Sequence, residues 1–407
     1  MYYPRTLKSR WLELSKQFPV LLLTGPRQVG KTTFLQHISE KNRKYVTLDD
    51  PDLRLVAGQD PVLFFERYSP PVLIDEIQYA PDLMQYIKMQ VDKEKKTGMF
   101  WLTGSQQFQM MKGISETLAG RVAIINMLGF SSRERHRLKL DLPPFVPKLD
   151  LIKKRGKTAV KTTVKSLYKD IWYGSFPALI AGPAKDRNVF YSSYLQTYLQ
   201  RDVRDLTQVG DERAFLTFLK ACAARTGQML NLSELARDSD ITVKTAKSWL
   251  SILRTSFQVY ILEPYYSNLT KRLVKRPKLY FLDTGLCAYL TEWTSPQNLE
   301  SGAMSGAVLE TYVLSEILKS WWHQGVQPSL YYYRDKDRRE IDFVFAQDQR
   351  LYPLEVKKSA SPKSAWPQSL PVLKYLNKDI TESVVACMCK ELLPLGKSSY
   401  AMPVNLI

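Results

Sequence analysis

Residues 25–32 read Gly25-Pro-Arg-Gln-Val-Gly30-Lys31-Thr32, and they follow the apolar run Pro19-Val-Leu-Leu-Leu23. This is the phosphate-loop pattern G-x-x-x-x-G-K-[ST], leaving a buried strand and entering a helix. It constrains the fold more than any other feature, because a loop of this kind works only where a parallel strand ends and a helix begins. The glycines let the backbone curl so that successive N–H groups converge on a polyphosphate. The helix start adds its positive dipole end. The set Gly25, Pro26, Arg27, Gln28, Val29, Gly30, Lys31, Thr32 and Thr33 is therefore expected to bind ATP, with Lys31 on the β/γ-phosphates and the Thr32 hydroxyl on Mg²⁺. Arg27 flanks the phosphates and its role stays open.

Strand-like and helical stretches alternate as far as Phe130. The strand-like runs are Val20–Leu23, Lys44–Leu48, Pro71–Ile74, Met99–Thr103 and Val122–Met127. Such alternation argues for a parallel sheet with helices on both faces. The run Val72-Leu-Ile-Asp75-Glu76 ends in two carboxylates. Asp75, at a strand tip, would join Thr32 in holding Mg²⁺. Glu76 would align and deprotonate the attacking water. Phe100-Trp-Leu-Thr-Gly-Ser105 is a further strand with a polar tip, where Ser105 is chosen over Thr103 to contact the γ-phosphate or the water; a plain loop hydroxyl is the alternative. Leu118-Ala-Gly-Arg121 sets an arginine on a glycine turn. Arg121 would stabilise charge on the transferring phosphoryl group, within the chain or across a subunit interface, unless it is a surface arginine.

From Leu232 the pattern changes. Leu232–Asp238 forms a short helix, Asp240-Ile241 a turn, and residues 242–253 a second helix with Val243, Ala246, Trp249, Leu250 and Leu253 on one face. Strands at Val259–Leu262 and Leu279–Leu282 complete a winged helix-turn-helix layout, with Lys244, Lys247, Ser248 and Arg254 outward.

The last third places Asp342 and Glu355-Val-Lys357 on successive strand-like runs, after a long helix Ala307–Trp322 that carries Glu310. D-x(n)-E-x-K across a hairpin is the signature of restriction-endonuclease-like nucleases. Strand alternation puts Glu355 and Lys357 on one face. Asp342 and Glu355 would bind a divalent metal with Glu310 completing the shell, and Lys357 would orient the water. The plain alternative is a nuclease-like fold without chemistry. The run Tyr331-Tyr-Tyr333 suits either base stacking or strand packing.

The motifs Gly25–Thr32, Leu73-Ile-Asp-Glu-Ile-Gln78, Leu102-Thr-Gly-Ser105 and Leu118-Ala-Gly-Arg121 resemble a large prokaryotic group of AAA-superfamily ATPases with a C-terminal domain of unknown function. Tyr198-Leu-Gln-Arg-Asp202, Tyr280-Phe-Leu-Asp-Thr-Gly285 and Glu340-Ile-Asp-Phe-Val344 look like that C-terminal domain. The resemblance implies ATP binding, ATP hydrolysis and a nuclease-like C-terminal fold.

The fold expected is α/β. An AAA-type P-loop core (1–130) precedes a basic linker and helical segment (131–210), a winged-helix-like domain (211–295) and a restriction-endonuclease-like domain (296–407). The Pro-containing stretch Ser131–Lys165 reads as a linker or mobile insertion.

A net charge of +18 points to a polyanion, DNA or RNA, with a dense part between Arg133 and Lys169. No apolar run is long enough to span a membrane. Cys222, Cys287, Cys387 and Cys389 lack zinc spacing, as do His37, His136 and His323, so a reducing cytoplasm fits. The function expected is an ATPase coupled to a nucleic-acid module. Rivals are an ATP-gated metal-dependent nuclease and a nucleotide-dependent switch or scaffold that binds a protein partner; assembly as a homo-oligomer stays open.

Overall fold

The computed structural model describes residues 2–104, 117–182, 184–199, 211–266, 276–335, 337–366, 379–380 and 382–407. Its first layer is a five-stranded sheet of β1 (Val20–Thr24), β2 (Lys44–Thr47), β3 (Val72–Asp75), β4 (Phe100–Gly104) and β5 (Val122–Asn126). The order is β2-β3-β4-β1-β5, and every pairing is parallel. Successive side chains leave opposite faces of a strand. Leu21, Leu23, Leu73 and Trp101 therefore meet α1 (Leu7–Ser15) and α2 (Lys31–Ile38) through Trp11 and Phe34. Val20, Leu22, Ile74 and Phe100 meet α3 (Pro51–Gln59), α4 (Pro61–Arg67) and α5 (Leu83–Glu94) through Ala57, Phe64 and Ile87. Two of these helices start on the same device. Asp50 accepts from Asp52 N (2.9 Å) and Asp60 from Leu63 N (2.9 Å), each followed by proline at the first helical position.

The 131–165 stretch corrects the expectation of a linker. It contains α6 (Ser132–Arg135) and α7 (Leu149–Gly156), and then α8 (Val164–Tyr173), α9 (Pro177–Ile180) and α10 (Arg187–Thr197) follow. Phe145, Val146 and Ile152 are buried in the same core as Trp321 and Phe345. Trp321 Nε1 donates to Phe145 O (2.8 Å), and Phe145 N donates to Ser320 Oγ (3.1 Å). Part of the basic charge is buried too. Arg133 donates to Lys139 O (3.0 and 2.8 Å) and to Thr158 Oγ1 (2.7 Å), and Arg155 donates to Pro143 O (2.9 Å). These two guanidiniums hold the strap together and do not face a polyanion.

The middle of the chain holds α11 (Glu212–Ala224), β6 (Gln228–Met229), α12 (Leu232–Asp238), α13 (Val243–Thr255), β7 (Val259–Leu262) and β8 (Lys278–Phe281), with antiparallel order β6-β8-β7. Trp249 fixes α13, its ring 5.1 Å from Phe215 and 5.7 Å from Phe218. Ala246, Leu250 and Leu253 are buried beside it, whereas Val243, expected on that face, is 48% exposed in the first turn. Lys244, Lys247, Ser248 and Arg254 are exposed.

Then come α14 (Thr284–Leu290), α15 (Pro296–Ser301), α16 (Ser305–Trp322), β9 (Leu330–Arg334), β10 (Glu340–Gln347), β11 (Arg350–Lys357), β12 (Asp379–Ile380), β13 (Ser383–Cys387), β14 (Leu393–Gly396) and β15 (Ser399–Pro403). The sheet order is β14-β15-β13-β11-β10-β9, with β12 beside β11. β9, β10 and β11 form an antiparallel meander, and β13 and β15 add in parallel. α16 is apolar almost all round, as a core helix must be. Tyr332 and Tyr333 are buried, so that run packs rather than offering faces to bases. The sequence pattern also predicts helices at Lys363–Leu376 and Tyr191–Arg204; residues 367–376 of the first and 200–204 of the second lie outside the described residues. No described helix is long and apolar enough to cross a membrane.

Candidate functional site

Because the five strands run parallel, the residues that follow β1, β3 and β4 converge on one edge of the sheet. Gly25 stands there at φ +148°, where a Cβ would lie 2.0 Å from Met127 O. Gly30 caps α2 at φ +87°. Phe34 N donates to Gly30 O (2.9 Å), so the peptide N–H groups of the first turn of that helix face the loop. Lys31 is only 7% exposed, and its ammonium donates to Gly25 O (3.0 Å) and Pro26 O (2.9 Å). Arg27 is half-buried, Val29 buried, and Gln28 and Thr33 exposed.

Thr32 Oγ1 donates to Asp75, at 2.8 and 3.0 Å from its two oxygens. Burial pushes the Asp75 carboxyl up from its ordinary value, against the hydroxyls of Thr103 and Thr32 that hold it down. A buried carboxylate and a hydroxyl, both hard oxygen donors, are suited to magnesium. Glu76 follows at φ 55° and accepts from Gln78 Nε2, while its own N–H reaches Thr103 Oγ1 (3.4 Å). Motif reading gives Gln78 no role and passes over Thr103 in favour of Ser105. Thr103 donates to Asp75, so this hydroxyl holds the carboxylate. Ser105 lies outside the described residues. Beside Gly30, Thr33 and Phe34 opens a cavity of about 290 Å³, walled by Tyr2, Tyr3 and Pro177.

Arg121 is not brought to this edge. It precedes β5, and its carbonyl accepts from Val20 N (3.3 Å) at the start of β1. The phosphate loop follows the other end of that strand. The Arg121 guanidinium instead grips Asp92 (2.6 and 3.1 Å) at the surface. Action of Arg121 on its own chain's phosphates is excluded by that register.

The FLDTG motif is a structural knot. Asp283 accepts from Ser175 N and Oγ (both 2.7 Å), Leu286 N (2.8 Å) and Tyr191 OH (3.0 Å).

In the C-terminal sheet, Lys357 Nζ lies 2.9 Å from Glu355 Oε2, which places the two on one face as alternation requires. Asp342 Oδ2 accepts from Val356 N (2.8 Å). Glu310 shares this region, but its carboxylate binds Lys278 Nζ (3.0 Å) and the Tyr280 hydroxyl. Burial and the Asp342 carboxylate push Glu310 upward in pKa. Among the described residues no group of three His, Cys, Asp or Glu is placed to hold a metal. The expected metal set of Asp342, Glu355 and Glu310 is thus corrected: these acids are met by lysines, a tyrosine and a peptide N–H.

Comparison with known proteins agrees with this architecture. A family model for an AAA domain matches residues 17–136. Two models for domains of unknown function, DUF8612 and DUF4143, match 164–297 and 305–407. The uncharacterized protein Rv2008c of Mycobacterium tuberculosis is 30% identical over 351 residues, 84% of this chain and 71% of its own length. Mb2031c of Mycobacterium bovis matches to the same extent. The chain belongs to this family of AAA-superfamily P-loop ATPases with a C-terminal DUF4143 domain. Among solved structures, the Walker-type ATPase of Pyrococcus abyssi is 12% identical and covers 70% of this chain and 94% of its own, with a TM-score of 0.42. RuvB T158V of Thermotoga maritima is 15% identical, covers 62% and 86%, and has a TM-score of 0.26. The strand order of this AAA-family ATPase rests on its own registers, not on these loose likenesses.

Proposed function

We propose that this chain binds and hydrolyses ATP at the converging strand tips, and that turnover is coupled to a nucleic acid bound on the exposed face of α13. One observation carries the proposal: Thr32 and Asp75 share a hydrogen bond at the loop, with Glu76 next in sequence. Magnesium, when bound, would supply positive charge against the phosphates. Thr32 and Asp75 would hold it. Lys31 exchanges its loop carbonyls for phosphate oxygens, and the first-turn N–H groups of α2 receive the rest. Glu76 orients the attacking water and takes its proton, with Gln78 fixing its carboxylate. The cavity beside Tyr2, Tyr3 and Pro177 has the size and apolar walls for the base.

The exposed Lys244, Lys247 and Arg254 on the second helix of a helix-turn-helix arrangement support a polyanionic partner. The test is phosphate release with and without duplex DNA, single-stranded DNA or RNA over a salt series. Stimulation that fades as salt rises is expected. Equal release by Glu76→Gln and wild type would remove the catalytic assignment. Turnover indifferent to every nucleic acid would favour a protein partner.

A further inference from the structure

A second charged cluster lies where β8 meets the C-terminal sheet. Lys278, on β8, is 3% exposed, and its Nζ is enclosed by carboxylates. Its Nζ lies 3.0 Å from Glu310 Oε1 on α16 and 2.5 Å from Glu340 Oε1 at the start of β10. Two residues along β8, Tyr280 donates its hydroxyl to the same Glu310 oxygen. Asp342, two residues after Glu340, accepts from Val356 N (2.8 Å), and Glu355 is paired with Lys357 (2.9 Å).

Each acid of the nuclease-like signature is therefore already met from within the chain. A buried ammonium costs several kcal/mol unless it is paired, and clustered carboxylates need a cation for the same reason. One charge answers both needs here. The seam around it is held by backbone as well: Tyr265 N donates to Tyr332 O (2.7 Å) and Tyr332 N to Glu263 O (3.1 Å).

We infer that Lys278 is a built-in counter-ion, holding the place a divalent cation would take between Glu310 and Glu340. The acid cluster is thereby a latch between the middle sheet and the C-terminal sheet, closed to metal while the two are docked. This is independent of the nucleotide-site reading, and either can fail alone.

The test is Mn²⁺ titration of the full chain, without nucleotide, followed by the electron paramagnetic resonance signal of the free ion. Asp75→Asn is carried throughout, so that the phosphate-loop edge contributes no metal ligand pair. The Asp75→Asn chain is expected to bind no Mn²⁺ at the latch. Adding Lys278→Met is expected to create one Mn²⁺ site per chain, at least about tenfold tighter than any background binding. Should that variant not fold, Lys278→Gln, which removes the charge but keeps a hydrogen-bond donor and both carboxylates, is expected to gain the site too. Stoichiometric Mn²⁺ binding by the Asp75→Asn chain that disappears on Glu310→Gln would overturn the inference. So would a folded Lys278 variant that gains no Mn²⁺.

Discussion

The Arg5 guanidinium lies 3.2 Å from the Glu134 carboxylate, with side-chain exposures of 3% and 0%. Arg5 also donates to Val29 O (3.0 Å) in the phosphate loop and to Leu128 O (2.7 Å) after β5. Glu134 accepts from Thr6 N (2.8 Å) and Ser131 N (2.9 Å), and stands 3.4 Å from His323 Nδ1 at the end of α16. The pair thus joins the nucleotide loop to the C-terminal domain through a buried contact.

Arg5→Met leaves the Glu134 carboxylate buried without its guanidinium. Breaking such a pair from one side costs about 3–5 kcal/mol. Urea unfolding is expected to show a loss of that size, whereas Arg10→Met, at an exposed pair with Glu13, is expected to change little. Equal midpoints for the two variants would deny the Arg5 pair its weight.

The same contact sets a pH dependence. Burial raises Glu134, but Arg5, His323 and the Ser131 N–H outweigh it and hold the carboxyl well below its ordinary 4.5. Burial lowers His323 below 6.5, against the pull of Glu134. The imidazole is neutral, because its Nε2 accepts from Leu128 N (3.1 Å). Both groups have depressed folded pKa values, so both contribute stability at neutral pH that is lost on acidification. His323 acts first, as pH falls below 6.5, and Glu134 follows below 4.5. Thermal midpoints across roughly pH 4–8 are expected to fall in that order, and His323→Gln is expected to flatten the first limb. A wild-type midpoint unchanged between about pH 7 and 5 would refute the assignment.

The nucleotide edge was legible because its signals are local. A glycine-framed loop and two acids each sit at the end of an apolar run, and parallel strands bring run ends together. The placement of Arg121, which favours the surface-arginine alternative over action within its own chain, has the same root. A residue that precedes a parallel strand stands at the opposite edge from one that follows it, so its place was implied by Val122 opening β5. What sequence did not carry was burial of charge. Arg133 and Arg155 look identical to solvated residues until Phe145 and Trp321 are seen to enclose the strap. Lys278 meets Glu310 across 32 positions, with nothing in the spacing to announce it.

Lys31→Ala and Glu76→Gln should separate binding from chemistry. The first removes a charge-assisted phosphate contact worth about 1.5–3 kcal/mol, roughly 10- to 100-fold in Kd for ATP. The second leaves Thr32 and Asp75 in place, so calorimetry should show near wild-type affinity while turnover falls roughly 10²-fold or more. Weak binding by Glu76→Gln would move Glu76 from water positioning to the metal or the loop.

The face of α13 makes a separable prediction. Lys244 and Lys247 are exposed and one turn apart, while Trp249 holds the helix from its other side. On the proposed reading, replacing both with Ala takes two cations away from bound DNA without touching the packing. Affinity for duplex DNA should weaken across all sequences. The slope of log K against log salt should flatten by about 0.9 for each phosphate that is no longer neutralised, close to two in all. Basal turnover without DNA should stay at the wild-type rate, since both side chains are exposed and carry no part of the nucleotide site. A double variant with an unchanged slope would take the nucleic acid off this helix, and the remaining surface charge, with Arg133 and Arg155 already buried, would have to carry it elsewhere.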